Sequence, residues 1–143
     1  MINDRVQKYV GVKYKLKGET LEEGMDCVTL LIAYYRELGT QAQEQFPDYE
    51  FDGHFILTTA RKFNDEIAKL TAGGHRRDRI EDLKENDLIF FSISGKDRIE
   101  LAAAYLGDNK FLYMPHVGKS CISSLSDYWT GKFRYGLEVV GCL

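Results

Sequence analysis

The hydrophobic pattern of this chain changes period near its middle, and that change constrains the fold more than any other feature. In the first half apolar residues recur at helical spacing: Val6, Tyr9 and Val10 before Gly11, then Cys27, Leu30, Leu31, Tyr34 and Leu38 before Gly39. Asp26 is placed to cap the second of these helices and Gly39 to stop it. A further helix is expected from Phe55 to Leu70, with Phe55, Thr59, Phe63 and Ile67 on one face, ended by Gly73-Gly74. The second half reads instead as short apolar runs: Leu88 to Phe91, Glu100 to Tyr105, Phe111 to Met114, Cys121-Ile122 and Phe133 to Val140. Gly107-Asp108-Asn109 between two of these runs is a hairpin signal. Helices first and an antiparallel meander second make an α+β domain with a sheet of about five strands; a βαβ alternation would interleave the two.

Composition narrows what such a domain does. The 143 residues fit one domain, 1–143, and 44% hydrophobic with 29% charged residues excludes a disordered chain. A formal net charge of −3 provides no basic face for duplex nucleic acid. Three cysteines (Cys27, Cys121 and Cys142) are too few for a disulfide framework, and no C-x-x-C pair occurs. His54, His75 and His116 show no zinc-ligand spacing, and Gly11 and Gly73-Gly74 make no phosphate-binding pattern, so neither a metal nor a cofactor is expected. Met1 to Arg5 lacks the apolar run of a signal peptide and no long apolar stretch follows, so the expectation is synthesis in the cytoplasm, with no membrane span. Arg76-Arg77-Asp78-Arg79 reads as a solvated turn, and Tyr34, Tyr35 and Trp129 read as core.

Cys27 is the one residue whose position suggests chemistry. The first turn of a helix carries unpaired N–H groups and the positive end of the helix dipole, which favour a thiolate by ~0.3–1 kcal/mol. That is less than one pKa unit, so the helix end alone does not make a strong nucleophile. A cysteine nucleophile also needs a base within hydrogen-bond reach. By position alone, an inert buried cysteine on a core-facing helix describes Cys27 as well.

Gly11-Val12-Lys13-Tyr14, then Gly18, then Met25-Asp26-Cys27-Val28-Thr29-Leu30-Leu31 resembles the entry motif of the NlpC/P60 cell-wall cysteine peptidases, roughly G-x-P-Y, a glycine loop and F-D-C-S-G-L-V. Leu83 to Phe91 resembles that family's L-x-x-G-D-L-V-F-F strand. Ala104 to Asp108, Lys110 to Leu112, Ile122 to Leu125 and Asp127-Tyr128-Trp129 are similar to its I-Y-L-G-D, x-F-I-H and I-S-S-L-x-D-x-Y-W stretches, in order. The resemblance implies a papain-like fold, N-terminal helices packed on an antiparallel sheet, with Cys27 as nucleophile and Tyr14 beside it to position or polarise a carbonyl. It implies a peptidoglycan peptide as substrate. Pro47-Asp48-Tyr49 and Leu101-Ala102-Ala103-Ala104 look most like the compact phage-tail members of the family, which implies association with a virion tail.

Two positions depart from that pattern. The family's base is a histidine opening the strand that ends in Y-L-G, and counting back from Tyr105-Leu106-Gly107 that position is Leu101. The orienting histidine of F-I-H falls on Tyr113. A one-residue bulge bringing Glu100 to the base position would set a carboxylate beside a thiolate and raise both pKa values. His116, three residues beyond Tyr113, is the candidate replacement base, with an exposed loop histidine as the plainer reading. His54 and His75 sit in polar stretches and carry less weight. The sequence therefore leaves two functions open: a degenerate or weakly active cysteine peptidase, or a non-catalytic module that binds a protein partner or builds a tail.

Overall fold

The computed structural model describes residues 4–15, 18–38, 75–93, 101–115 and 118–139. Among the described residues, two short α-helices, one longer one and a 3-10 turn (Ile80–Asp82) accompany eight strands. They are α1 (Asp4–Gln7), β1 (Glu19–Thr20), β2 (Gly24–Met25), α2 (Cys27–Glu37), β3 (Arg76–Arg77), β4 (Leu88–Phe91), β5 (Leu101–Gly107), β6 (Lys110–Tyr113), β7 (Cys121–Ser124), α3 (Asp127–Thr130) and β8 (Phe133–Leu137). Strands β1 and β2 form a small antiparallel pair, and the other six form one antiparallel sheet in the order β3-β8-β4-β5-β6-β7. The helix expected over 55–70 and the stop at Gly39 lie outside the described residues.

The sheet is α+β as the pattern change requires, and its two faces are both packed. Alternation along β5 sends Ala102 and Ala104 to one side, where they join Leu88, Phe90, Leu112 and Met114 under Leu30, Leu31, Tyr34 and Tyr35 of α2. Leu101, Ala103 and Tyr105 go to the other side, with Ile89, Phe91 and Phe111. On that second face Trp129 of α3 stands against Phe91 and Phe111 with ring centroids 4.9 and 5.1 Å away. Small residues at 102–104 let the helix approach β5 closely, which is what brings the N-terminal half onto the sheet.

Two local details differ from the sequence reading. Arg76-Arg77 is not a solvated turn: it is the edge strand β3, paired with Leu137 and Gly136 of β8. What holds it is side-chain chemistry that no hydrophobic pattern reports, since the half-buried Arg77 donates from Nε to the buried Asp87 carboxylate at 3.0 Å. The β5–β6 turn is tighter than three residues, because Asp108 and Asn109 both take positive φ (50° and 66°), the signature of a two-residue hairpin turn.

Asn86 also takes positive φ (74°), at the place where the L-x-x-G-D-L pattern has glycine. Asparagine tolerates that left-handed conformation better than most side chains. Here it gains further partners, as Tyr34 Oη donates to Asn86 Oδ1 at 3.1 Å and Tyr35 Oη to the Asn86 carbonyl at 3.0 Å. The turn before β4 is thereby fastened to the middle of α2.

Candidate active site

The N-terminus of α2 is built by a reciprocal cap. Asp26 Oδ1 accepts the Thr29 N–H at 2.9 Å, and Thr29 Oγ1 accepts the Asp26 N–H at 3.0 Å. Both residues are buried, at 0% and 1% exposure, so the start of the helix is fixed from beneath. Cys27 follows at once, half-buried, in the first turn of an 11-residue helix. Asp26→Ala should lower stability by about 1–2 kcal/mol, read as a shift of the urea midpoint at unchanged slope.

A three-stranded arch of backbone holds Tyr14 next to this turn. Tyr14 bridges Met25 in parallel, with Lys15 N–H donating to the Met25 carbonyl at 2.9 Å and Met25 N–H to Lys13 at 3.0 Å. Gly24 makes this approach feasible: its φ is +113°, and a Cβ there would lie 2.7 Å from the Lys13 carbonyl. On the other side Tyr14 N–H donates to the Gly118 carbonyl at 3.1 Å, and Ser120 N–H to Val12 at 2.8 Å. The buried Ser120 hydroxyl accepts the Val12 N–H at 2.8 Å and donates to the Tyr9 carbonyl.

Burial pushes the Tyr14 phenol up to about 12, and the negative charges of Asp26 and Cys27 add to the effect. Tyr14 is therefore a hydroxyl donor throughout the neutral range, beside the thiol-bearing turn. Such a group can hydrogen-bond a carbonyl oxygen as negative charge develops on it.

The two positions expected to hold histidines come together on the sheet. Leu101 opens β5 and Tyr113 closes β6, both half-buried. The register that pairs Ala104 with Leu112 sets Tyr113 opposite Ala103 and diagonal to Leu101, on one face. Tyr113 stands directly across from Cys121 of β7 and packs its ring 5.3 Å from Trp129. Burial first, then a hydrogen bond with the Cys121 thiol, raises its pKa, while a bond with Ser123 works the other way. Leu101 and Tyr113 belong to the packing cluster of this second face, whereas Cys27 packs against the cluster containing Ala102 and Met114.

His116 and His54 lie outside the described residues. Gly118, two residues after His116, carries the carbonyl bonded to Tyr14, so that end of the loop reaches the arch. His75 is exposed and engaged by Glu138 at 3.1 Å on the β3–β8 edge. No group of three or more histidine, cysteine or acidic side chains able to hold a metal occurs among the described residues. Sequence reasoning missed Thr29 and Ser120. The D-x-x-T spacing of the cap was available to find Thr29, whereas Ser120 bonds partners more than a hundred residues away and leaves no local signal.

Comparison with known proteins bears on this geometry. The sequence profile of the NlpC/P60 family matches residues 11–137. The chain is 27% identical over 128 residues to the murein DD-endopeptidase MepH of Escherichia coli strain K12, covering 88% of this chain and 40% of that protein. It is 26% identical over 132 residues to the gamma-DL-glutamyl hydrolase of Bacillus subtilis strain 168, covering 88% of this chain and 26% of that one. It thus spans less than half the length of either relative. Among solved structures, an NLP/P60 family protein from Staphylococcus aureus superposes with a TM-score of 0.60 at 22% identity, over 96% of this chain and 39% of the other.

Proposed function

Because this chain belongs to the NlpC/P60 family, we propose that it is directed at the peptides of peptidoglycan and that its hydrolytic step is slow. What supports this reading is Tyr14 beside Cys27 at the start of α2, together with leucine and tyrosine at 101 and 113, the two positions to which the family resemblance assigns base and orienter. The Cys27 thiolate would attack a peptide carbonyl carbon, with the oxyanion taken by the Tyr14 hydroxyl. The thiol proton then needs an acceptor, and neither Leu101 nor Tyr113 supplies one near neutrality. A thiol at its free pKa is only a few per cent ionised at pH 7. Loss of a general base costs ~10²–10⁴-fold in rate. The replacement acceptor in this reading is His116, which precedes by two residues in sequence the Gly118 whose carbonyl accepts the Tyr14 N–H.

The second reading, a binding or structural module such as a virion tail component, is favoured by the same two substitutions carried one step further. Its tail subtype rests on the likeness of Pro47-Asp48-Tyr49 and Leu101 to Ala104 to phage-tail members. Digestion of purified peptidoglycan with product analysis separates the two readings. Slow peptide release by wild type, abolished by Cys27→Ala and lowered at least tenfold by His116→Ala, is the expected result. Identical profiles for wild type and Cys27→Ala would establish the non-catalytic module.

A further inference from the structure

The chain reaches Tyr14 through an irregular stretch of backbone. Gly11 and Val12 both turn their N–H groups toward Ser120: Gly11 donates to its carbonyl at 2.9 Å and Val12 to its hydroxyl at 2.8 Å. The Ser120 N–H in turn donates to the Val12 carbonyl at 2.8 Å. Two residues thus stand opposite one, which makes a β-bulge, and Gly11 at φ +83° has the left-handed backbone of its glycine form. Past the bulge the pairing is regular, with Lys13 across from Lys119 in an antiparallel bridge.

That bulge decides which side chains face inward. From Val12 onward the chain alternates: Val12 is buried, Lys13 exposed, Tyr14 half-buried against the core under α2, and Lys15 exposed. A slip of one residue would exchange the two sets, turning Lys13 toward the thiol-bearing turn and Tyr14 to solvent. A bulge disrupts the ladder, because its extra residue finds no strand partner. Here the N–H that would go unpaired belongs to the buried Val12, and the acceptor it finds is a side chain, the Ser120 hydroxyl. Ser120 is itself buried, and the same hydroxyl donates to the Tyr9 carbonyl, so it is engaged as both donor and acceptor. An alanine at 120 would keep every backbone bond of the segment and remove only these two. The Val12 N–H would then be a buried donor without an acceptor, which a backbone shifts to avoid.

We propose that Ser120 is a positioning residue of the candidate site: its hydroxyl fixes the bulge at Gly11-Val12, and the bulge sets Tyr14, rather than Lys13, beside Cys27. Bulges recur next to active sites, where they aim a side chain. The aimed group here is the phenol that can donate to a developing oxyanion. Its use in that role rests on the hydrolytic reading, whereas its placement by Ser120 does not.

The test follows Tyr14 directly, by NMR of the full chain carrying tyrosine labelled with carbon-13 at Cζ, with the Tyr14 signal identified by its loss in Tyr14→Phe. In the wild type this phenol, held up at about 12 by burial, should stay protonated near pH 11, where exposed phenols have ionised. In Ser120→Ala its midpoint should fall by about one pH unit or more as burial is lost. Tyr113, on the other face of the sheet and also raised by burial, should keep its midpoint. An unmoved Tyr14, or a fall of Tyr113 as large as that of Tyr14, would overturn the proposal, the second by showing general loosening. Gly11→Ala attacks the bulge from its other partner, since positive φ strains any side chain although nothing lies within 4 Å of the added Cβ. It should move Tyr14 the same way, and it decides the matter should Ser120→Ala fail to fold. In peptidoglycan digestion Ser120→Ala and Tyr14→Phe should each slow release by ~10²-fold. The double variant should lose no more than either alone, because one acts through the other, and additive losses would break the link. If the wild type releases nothing, the hydrolytic reading fails by itself and the Tyr14 midpoints still decide the role of Ser120.

Discussion

Leu101→His, alone or with Tyr113→His, is expected to raise the alkylation rate of Cys27 near pH 6 at least tenfold over wild type if position 101 serves the thiol, although Leu101 packs on the face of the sheet away from the cluster that Cys27 joins. A thiol at its ordinary pKa is mostly protonated at that pH, whereas a neighbouring imidazolium stabilises the thiolate far more than a helix end does. Leu101 is half-buried beside the small residues Ala102 and Ala103, so an imidazole fits for ~1–2 kcal/mol of burial cost. Tyr113, diagonal to it on the same face, either hydrogen-bonds the second ring nitrogen through its hydroxyl or is replaced to do so. The demanding step is rotation: position 101 packs with the Trp129 cluster, and the new ring has to turn from it toward the thiol. Iodoacetamide kinetics followed by mass spectrometry read the outcome. Fast labelling of wild type at pH 6 would mean that a base is already present. No gain in either variant would mean that position 101 does not serve Cys27.

Phe111→Ala is expected to be the most damaging single truncation on the sheet, at about 3–5 kcal/mol. The ring is fully buried, and its centroid lies 5.1–5.4 Å from those of Phe91, Trp129 and Tyr113, so removal opens a cavity in contact with three aromatic neighbours. Phe111→Leu, which keeps most of the volume, should cost well under half as much. Urea unfolding measures both. Because this cluster lies across the sheet from the face that α2 covers, Cys27 labelling in the folded Phe111→Ala protein should stay within twofold of wild type.

Much of this architecture is legible in the sequence because it rests on periodicity. The short apolar runs Leu88 to Phe91 and Glu100 to Tyr105, and the helical spacing from Cys27 to Leu38, are visible without any tertiary information, and so is the Asp26 cap. What was not legible depends on single long-range polar contacts. Arg77 looks like part of a solvated charge run until Asp87 is seen to receive it. Ser120 looks unremarkable until its hydroxyl is found tying Tyr9 and Val12 to the strand before β7. For the candidate site, motif likeness pointed to Cys27 at the start of α2 and to positions 101 and 113. It could not say which face of β5 position 101 occupies, because that follows from register, and a slip of one residue would reverse it.

The outer borders of the sheet bear on how molecules of this protein meet one another. A strand with free N–H and C=O groups along one side is a template on which another chain can add. At one border β3 is only two residues long, so a second copy arriving there finds little free strand to pair with. Along the other border, residues just before β7 are already bonded to Gly11, Val12 and Tyr14, which leaves a shorter free rim. The segment that positions Tyr14 beside the thiol therefore also guards an edge, and the same hydrogen bonds that shape the site help keep the domain from growing into strand-paired aggregates at high local concentration.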